Sequence, residues 1–190
     1  RSERFTRLLG DLQQVAEDLV TLSPAPAGLD RPAATIALEV LAAAWQTARE
    51  RGLRARQKPT AKRLHAMRIA VRRVRYLAEW QSGLVSTGLN EFIAPVKALQ
   101  DMLGDHQDAE VARSTLDELR PLSKGGSAKI IQDLADQQLK VQRRLERQFP
   151  AHWRACRRRR MVATRLWEPL RAAAGLPPLS HGGTTESKDV

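Results

Sequence analysis

The sequence predicts an all-α protein, an antiparallel helical bundle, and three observations carry that prediction. Long stretches free of Gly and Pro alternate with short breaks, apolar residues recur at helical spacing, and runs of β-branched residues are nearly absent. With 190 residues and 42% apolar content, the chain is long enough to build a real core.

A first helix is expected from Ser2, which can cap a run in which Phe5, Leu8, Leu9, Leu12, Val15, Ala16 and Leu19 recur at helical spacing. It ends before the Pro/Gly linker SPAPAG at 23–28, the clearest boundary in the chain. Three regions follow: a helix at 1–22, a helical bundle at 30–174, and a tail at 175–190 with the composition of disorder. A second helix is expected after Asp30, with Pro32 at a tolerated early position and Gly52 as its stop. Its inward set is Ile36, Val40, Leu41, Ala44 and Trp45.

The third helix, Lys62 to Trp80, is the most informative stretch. On a wheel of about 100° per residue, Leu64, Met67, Val71, Val74 and Ala78 fall within roughly 80°, a core-facing stripe. His65, Arg68, Arg72 and Arg75 fill the neighbouring arc, with Ile69, Tyr76 and Trp80 beyond them. A merely solvated face would lie opposite the core, where Lys62 and Arg73 are. A basic stripe bordering the core looks along a helix–helix crevice instead. No acidic residue occurs from Lys62 to Tyr76, so the i,i+4 Glu–Lys pairing of ordinary surface helices is missing. Cations facing a crevice repel one another and are costly to desolvate alone. They call for an anion.

A fourth helix from about Asn90 admits Pro95 and carries an apolar row of Val96, Leu99 and Leu103. A second face groups Lys97, Gln100, Asp101, Gly104 and Asp108. Gly inside a helix costs about 1 kcal/mol relative to Ala, so Gly104 is expected to admit another backbone or a bulky anion. Asp108 is expected to orient an Arg of the neighbouring helix. Pro121 and the SKGGS stretch at 123–127 form a loop. The next helix runs to about Gln148 with Ile130, Ile131, Leu134, Val141 and Leu145 inward and Lys140, Arg143 and Arg147 as a basic row. A last helix after Pro150 carries a second basic wall of Arg154, Arg157, Arg158 and Arg165.

A formal charge of +11 makes a polyanionic partner or an anionic membrane surface the expected counterpart. Sixteen of the thirty-two Lys and Arg residues lie in Lys62–Tyr76 and Lys140–Arg165, and such clustering favours a binding site over generic solubility. The single Cys156 excludes an intrachain disulfide and a Cys-based metal site and suits a reducing compartment. No apolar run approaches about 18 residues and no signal peptide opens the chain, so no membrane span and a cytoplasmic location are expected.

HAMRIAVRRVRY, followed by VKALQDMLGDHQDAEV, resembles the motif of the CHAD family, the conserved-histidine α-helical domains. The matching positions are His65, Arg68, Ile69, Arg72, Arg73 and Arg75, then Lys97, Leu99, Gln100, Leu103, Gly104 and Asp108. The resemblance covers Leu64 to Val111 and implies an all-helical domain of two related four-helix bundles whose basic inner surface binds inorganic polyphosphate, with association to polyphosphate granules. The family usually carries the His motif twice. Here one copy is found, resembling the second, which implies one complete bundle and, in residues 1–22, a remnant of the first.

The site expected on this combined reading is His65, Arg68, Arg72, Arg73, Arg75, Lys97 and Gln100, with Arg143, Arg147, Arg154 and Arg158 as a facing wall and Asp108 orienting. Arginine suits the task because its planar fork holds phosphate oxygens bidentately and stays charged. Asp105, His106 and Asp108 do not share one helical face, so no metal is expected. No Walker-type loop, GxSxG or carboxylate pair in an apolar setting is present, so neither a cofactor nor an enzyme is expected. Two alternatives are a nucleic-acid binder, opposed by an aromatic content of 4%, and a polyphosphate-processing enzyme or accessory domain. A third is an interaction protein using apolar faces left open by a missing bundle, which ties its test to the association state.

Overall fold

The computed structural model describes residues 14, 17, 32–83 and 89–179, apart from the side chains of Arg159 and Arg160. The chain divides into two units, Arg1–Ala33 and Ala34–Val190. In the first, Gln14 and Glu17 are helical and exposed. The expected cap at Ser2, the linker at 23–28 and the tail beyond Leu179 lie outside the described residues.

The second unit is built from α1 (Ala33–Gln57), α2 (Ala61–Gln81), α3 (Leu89–Leu119), a 3₁₀ turn (Arg120–Leu122) and α4 (Gly126–Cys156). A short closing segment follows: α5 (Arg159–Val162), a π-helical turn (Ala163–Trp167) and α6 (Glu168–Ala173). No strand occurs among the described residues, and no helix there is long and apolar enough to cross a membrane.

The helices run antiparallel in sequence order. Gln81 Nε2 donates to the Ala37 carbonyl at 2.8 Å and Arg51 Nη1 to the Ala66 carbonyl at 2.9 Å, which ties the end of α2 to the start of α1 and the reverse. His65 meets Gln107 across α2 and α3. Cys156 Sγ donates to the Pro95 carbonyl at 3.1 Å, and Arg120 Nη1 to Gln132 Oε1, so α3 and α4 stay paired along their length. All four helices supply the core. Trp45 and Ala48, Val71 and Val74, Val96 and Leu99, Trp153 and Cys156 converge on one layer, where Trp45 meets Phe92 edge-on with ring centroids 5.4 Å apart. Met161, Val162, Leu166 and Leu170 of the closing segment join the same core.

Tertiary packing overrides three local expectations. Gly52 does not stop α1, which continues to Gln57; it makes room for an indole, since a Cβ there would lie 2.4 Å from Trp153 Cε2. Pro150 does not start a new helix but sits inside α4, carried through by burial of Phe149, Trp153 and Cys156 on either side. Gly126 already begins α4, which shortens the expected loop.

The expected inward sets are also corrected in part. Leu41, Ala44, Trp45 and Leu145 are buried as expected, but Ile36, Val40, Ile130 and Leu134 are exposed. For the last two the cause is helix length. Counting along the pair from the His65–Gln107 contact brings Ala61 level with Val111, so α3 and α4 continue past the ends of α1 and α2 as a two-helix hairpin. No residue from 110 to 134 is buried.

Candidate functional site

The basic helix α2 begins with Thr60 as its N-cap, whose side chain accepts from the Arg63 N–H. Leu64, Met67, Val71, Val74 and Ala78 are all buried, joined by Ala70 and Gln81. That orientation fixes the rest of the helix. His65, Arg68, Arg72 and Arg75 fall on the flank turned toward α3, and one contact pins the register: His65 Nδ1 lies 2.6 Å from Gln107 Oε1. With that oxygen accepting, the proton sits on Nδ1 and Nε2 remains available. Stepping down α3 as α2 is climbed sets Arg68 opposite Gly104, Arg72 opposite Gln100 and Arg75 opposite Lys97. Both halves of the sequence motif therefore lie along the α2–α3 contact.

On α2, Arg75 Nε is 3.4 Å from Glu79 Oε1. Arg68, Arg72, Arg73 and Lys97 make no ion pair among the described residues. The Arg72 and Arg75 guanidinium carbons stand 5.3 Å and 4.8 Å from the centre of the Tyr76 ring. These two cations, Arg72 foremost, hold the exposed Tyr76 phenol below its usual range. Gln100 is half-buried, and its Oε1 is enclosed without a hydrogen-bond donor among the described residues. Gly104 has nothing within 4 Å of where a Cβ would be, so no backbone approaches it, contrary to one of the two expectations for it; the space above it is open.

Asp108 is exposed and makes no ion pair with α2 among the described residues, so the expected orienting contact is not formed in this structure. Arg143, Arg147 and Arg154 are exposed on α4 and Arg158 just beyond it, and among the described residues no hydrogen bond or ion pair joins them to the α2 row. Arg165 of the expected second wall is engaged by Glu91 at 2.9 Å. His106 turns into the α3–α4 interface, 2% exposed, with Nε2 3.5 Å from Glu146 Oε1. No group of His, Cys, Asp and Glu suited to a metal occurs among the described residues.

One residue has no place in the sequence reading. Gln107 is the orienting partner that His65 lacks in its own stretch of chain, 42 residues away; its signal is a position one turn beyond Gly104 on the same polar face. Tyr76 and Trp80, beyond the basic stripe on the wheel, are 46% and 65% exposed, and the contact of Tyr76 with the stripe is a feature that the motif does not include. The signal there was spacing, since Arg72 and Tyr76 are one turn apart.

No curated protein and no solved structure matches the chain. The family model of the CHAD domain matches residues 1–117, which takes in α1, α2, nearly all of α3 and both halves of the sequence motif. More than half of the sequence is covered, and the chain belongs to the CHAD domain family.

Proposed function

We propose that the α2–α3 groove binds linear inorganic polyphosphate and that the protein is a binding module. One observation carries the reading: His65, Arg68, Arg72 and Arg75 line the α3-facing flank of α2, and only Arg75 has an acidic partner among the described residues. Repulsion along such a row is relieved by an external anion, and a linear one meets every member. The opposite wall adds Lys97 as a point charge and Gln100 as a polar contact, while Gly104 leaves the groove open opposite Arg68. Affinity then comes from many charge-assisted contacts, each modest alone. The exposed arginines of α4 extend the positive surface and draw the polyanion in.

A second reading, a single-stranded nucleic-acid surface, is favoured by the exposed Trp80 ring and by the exposed Tyr76 ring beside Arg72 and Arg75, on which bases can stack. The same arginines serve either polymer. The polyphosphate reading is preferred because His65, Arg68, Arg72 and Arg75 follow one helical stripe beside the His65–Gln107 contact, a spacing that suits a linear chain of like charges.

Paired substitutions test the assignment. Arg68→Ala with Arg72→Ala is expected to weaken polyphosphate binding at least tenfold, with the melting temperature equal to or above that of the parent. Val71→Ala is expected to do the reverse, costing roughly 1–3 kcal/mol of stability and leaving affinity intact. A double variant that melts lower and binds normally makes the stripe structural.

A further inference from the structure

Tyr76 is the chain's single tyrosine, and its ring meets two guanidiniums at once. Arg72 reaches it from one turn earlier in α2, and Arg75 is its neighbour in sequence. Both lie within the distance at which a cation is drawn to a ring face. Two like charges crowded over one ring repel, and the shared attraction to its π-face offsets that cost. Glu79 Oε1 lies 3.4 Å from Arg75 Nε as an ion pair, and that Nε has no hydrogen-bond partner among the described residues, so the guanidinium keeps hydrogen-bonding capacity. Arg73 on the outer side has no ring contact, so Tyr76 is selective for the two arginines of the groove flank.

We propose that Tyr76 is a positioning residue of the groove, its ring holding the Arg72 and Arg75 forks together as a two-pronged clamp for neighbouring phosphoryl groups of one chain. This rests on the polyphosphate reading above. The physical gain is preorganisation: arginine is rich in rotamers, and a side chain already ordered in the free protein loses less freedom on binding. The ring needs no contact with the ligand. Phenylalanine therefore serves nearly as well as tyrosine, and leucine does not.

The test measures polyphosphate affinity and its salt dependence for the parent, Tyr76→Phe and Tyr76→Leu near pH 7.5, with melting temperatures alongside. Tyr76→Leu is expected to lose about five- to tenfold in affinity while Tyr76→Phe stays within about twofold, cation–π contacts at exposed sites being of that size. The salt slope should change little, because it counts neutralised phosphates and both arginines remain. Because one tyrosine is present, absorbance near 295 nm follows Tyr76 alone. Its ionisation in the free protein should come below the usual range, through Arg72 and Arg75, and added polyphosphate should push it up by screening them. Glu79 beside Arg75 and Lys97 across the groove are present in both states and do not reverse that sign. Leucine binding as well as tyrosine, with a phenol indifferent to polyphosphate, overturns the clamp and leaves the groove assignment standing. A parent that does not bind polyphosphate overturns both.

Discussion

At the scale of single residues, chemistry follows from surroundings that sequence spacing shows only partly. The His–Arg motif was legible because its members share a helix, where the wheel sets their direction. Gln107 was not, because His65 finds it across a helix pair whose register is a tertiary property. His106, adjacent to Gln107, turns inward to Glu146, so two neighbouring positions of α3 serve different interfaces. Cys156 shows the same dependence on surroundings. Burial pushes its thiol up to about 12 from an ordinary 9.0, and Sγ–H donates to the Pro95 carbonyl. A thiol so placed should resist alkylation at pH 8 in the folded protein and react fully in denaturant. The linkage has a definite sign. Above about pH 9 the unfolded chain releases this proton while the folded protein keeps it until about 12, so Cys156 lowers stability as pH rises through that window. Replacement by Val should flatten that part of the stability–pH curve; an unchanged slope, or rapid labelling of the native protein, would contradict the burial.

At the scale of elements, glycine and proline show where the chain could and could not be read. Local rules treat Gly52 and Pro150 as breaks, yet both lie inside helices because the core on either side outweighs their cost. Two glycines in helix interiors, Gly52 and Gly104, predict opposite responses to one methyl group. Gly52→Ala drives a Cβ into the Trp153 ring and should cost about 1–3 kcal/mol, as overpacking does. Gly104→Ala meets nothing and should gain up to about 1 kcal/mol from helix propensity, while the added methyl narrows the groove opposite Arg68 and weakens polyphosphate binding. Denaturant melts of the two variants read the stability signs, and titration reads the binding. If Gly104→Ala binds as tightly as the parent, the open space is not part of the site.

At the scale of the whole molecule, the all-α bundle was legible because burial imposes a period of 3.6 on every helix that packs, and α2 kept its predicted core face residue for residue. What periodicity cannot give is which helix ends first. Ile130 and Leu134 have the spacing of core residues, but α1 and α2 stop short of them and leave them in solvent. Nor can it give which polar faces meet: His65 reaches Gln107 across α2 and α3, while Arg143, Arg147 and Arg154 are exposed on α4, whose buried face packs on α1, α2 and α3. The polyphosphate proposal concerns the α2–α3 face and what fits it. Affinity for any polyanion should fall linearly with salt on logarithmic axes, so salt dependence alone does not separate polyphosphate from nucleic acid. Competition does. On the proposed reading, the row of His65, Arg68, Arg72 and Lys97 takes an unbranched phosphate chain along its length, whereas a single strand would have to turn its sugars and bases outward. At about 0.15 M salt, polyphosphate of several tens of units should displace single-stranded DNA of equal charge at sub-stoichiometric excess, and pyrophosphate should compete poorly. DNA or RNA that holds its place against equal-charge polyphosphate would overturn the polyphosphate reading and assign the arginines of α2, with the exposed Tyr76 and Trp80 of the same helix, to nucleic acid.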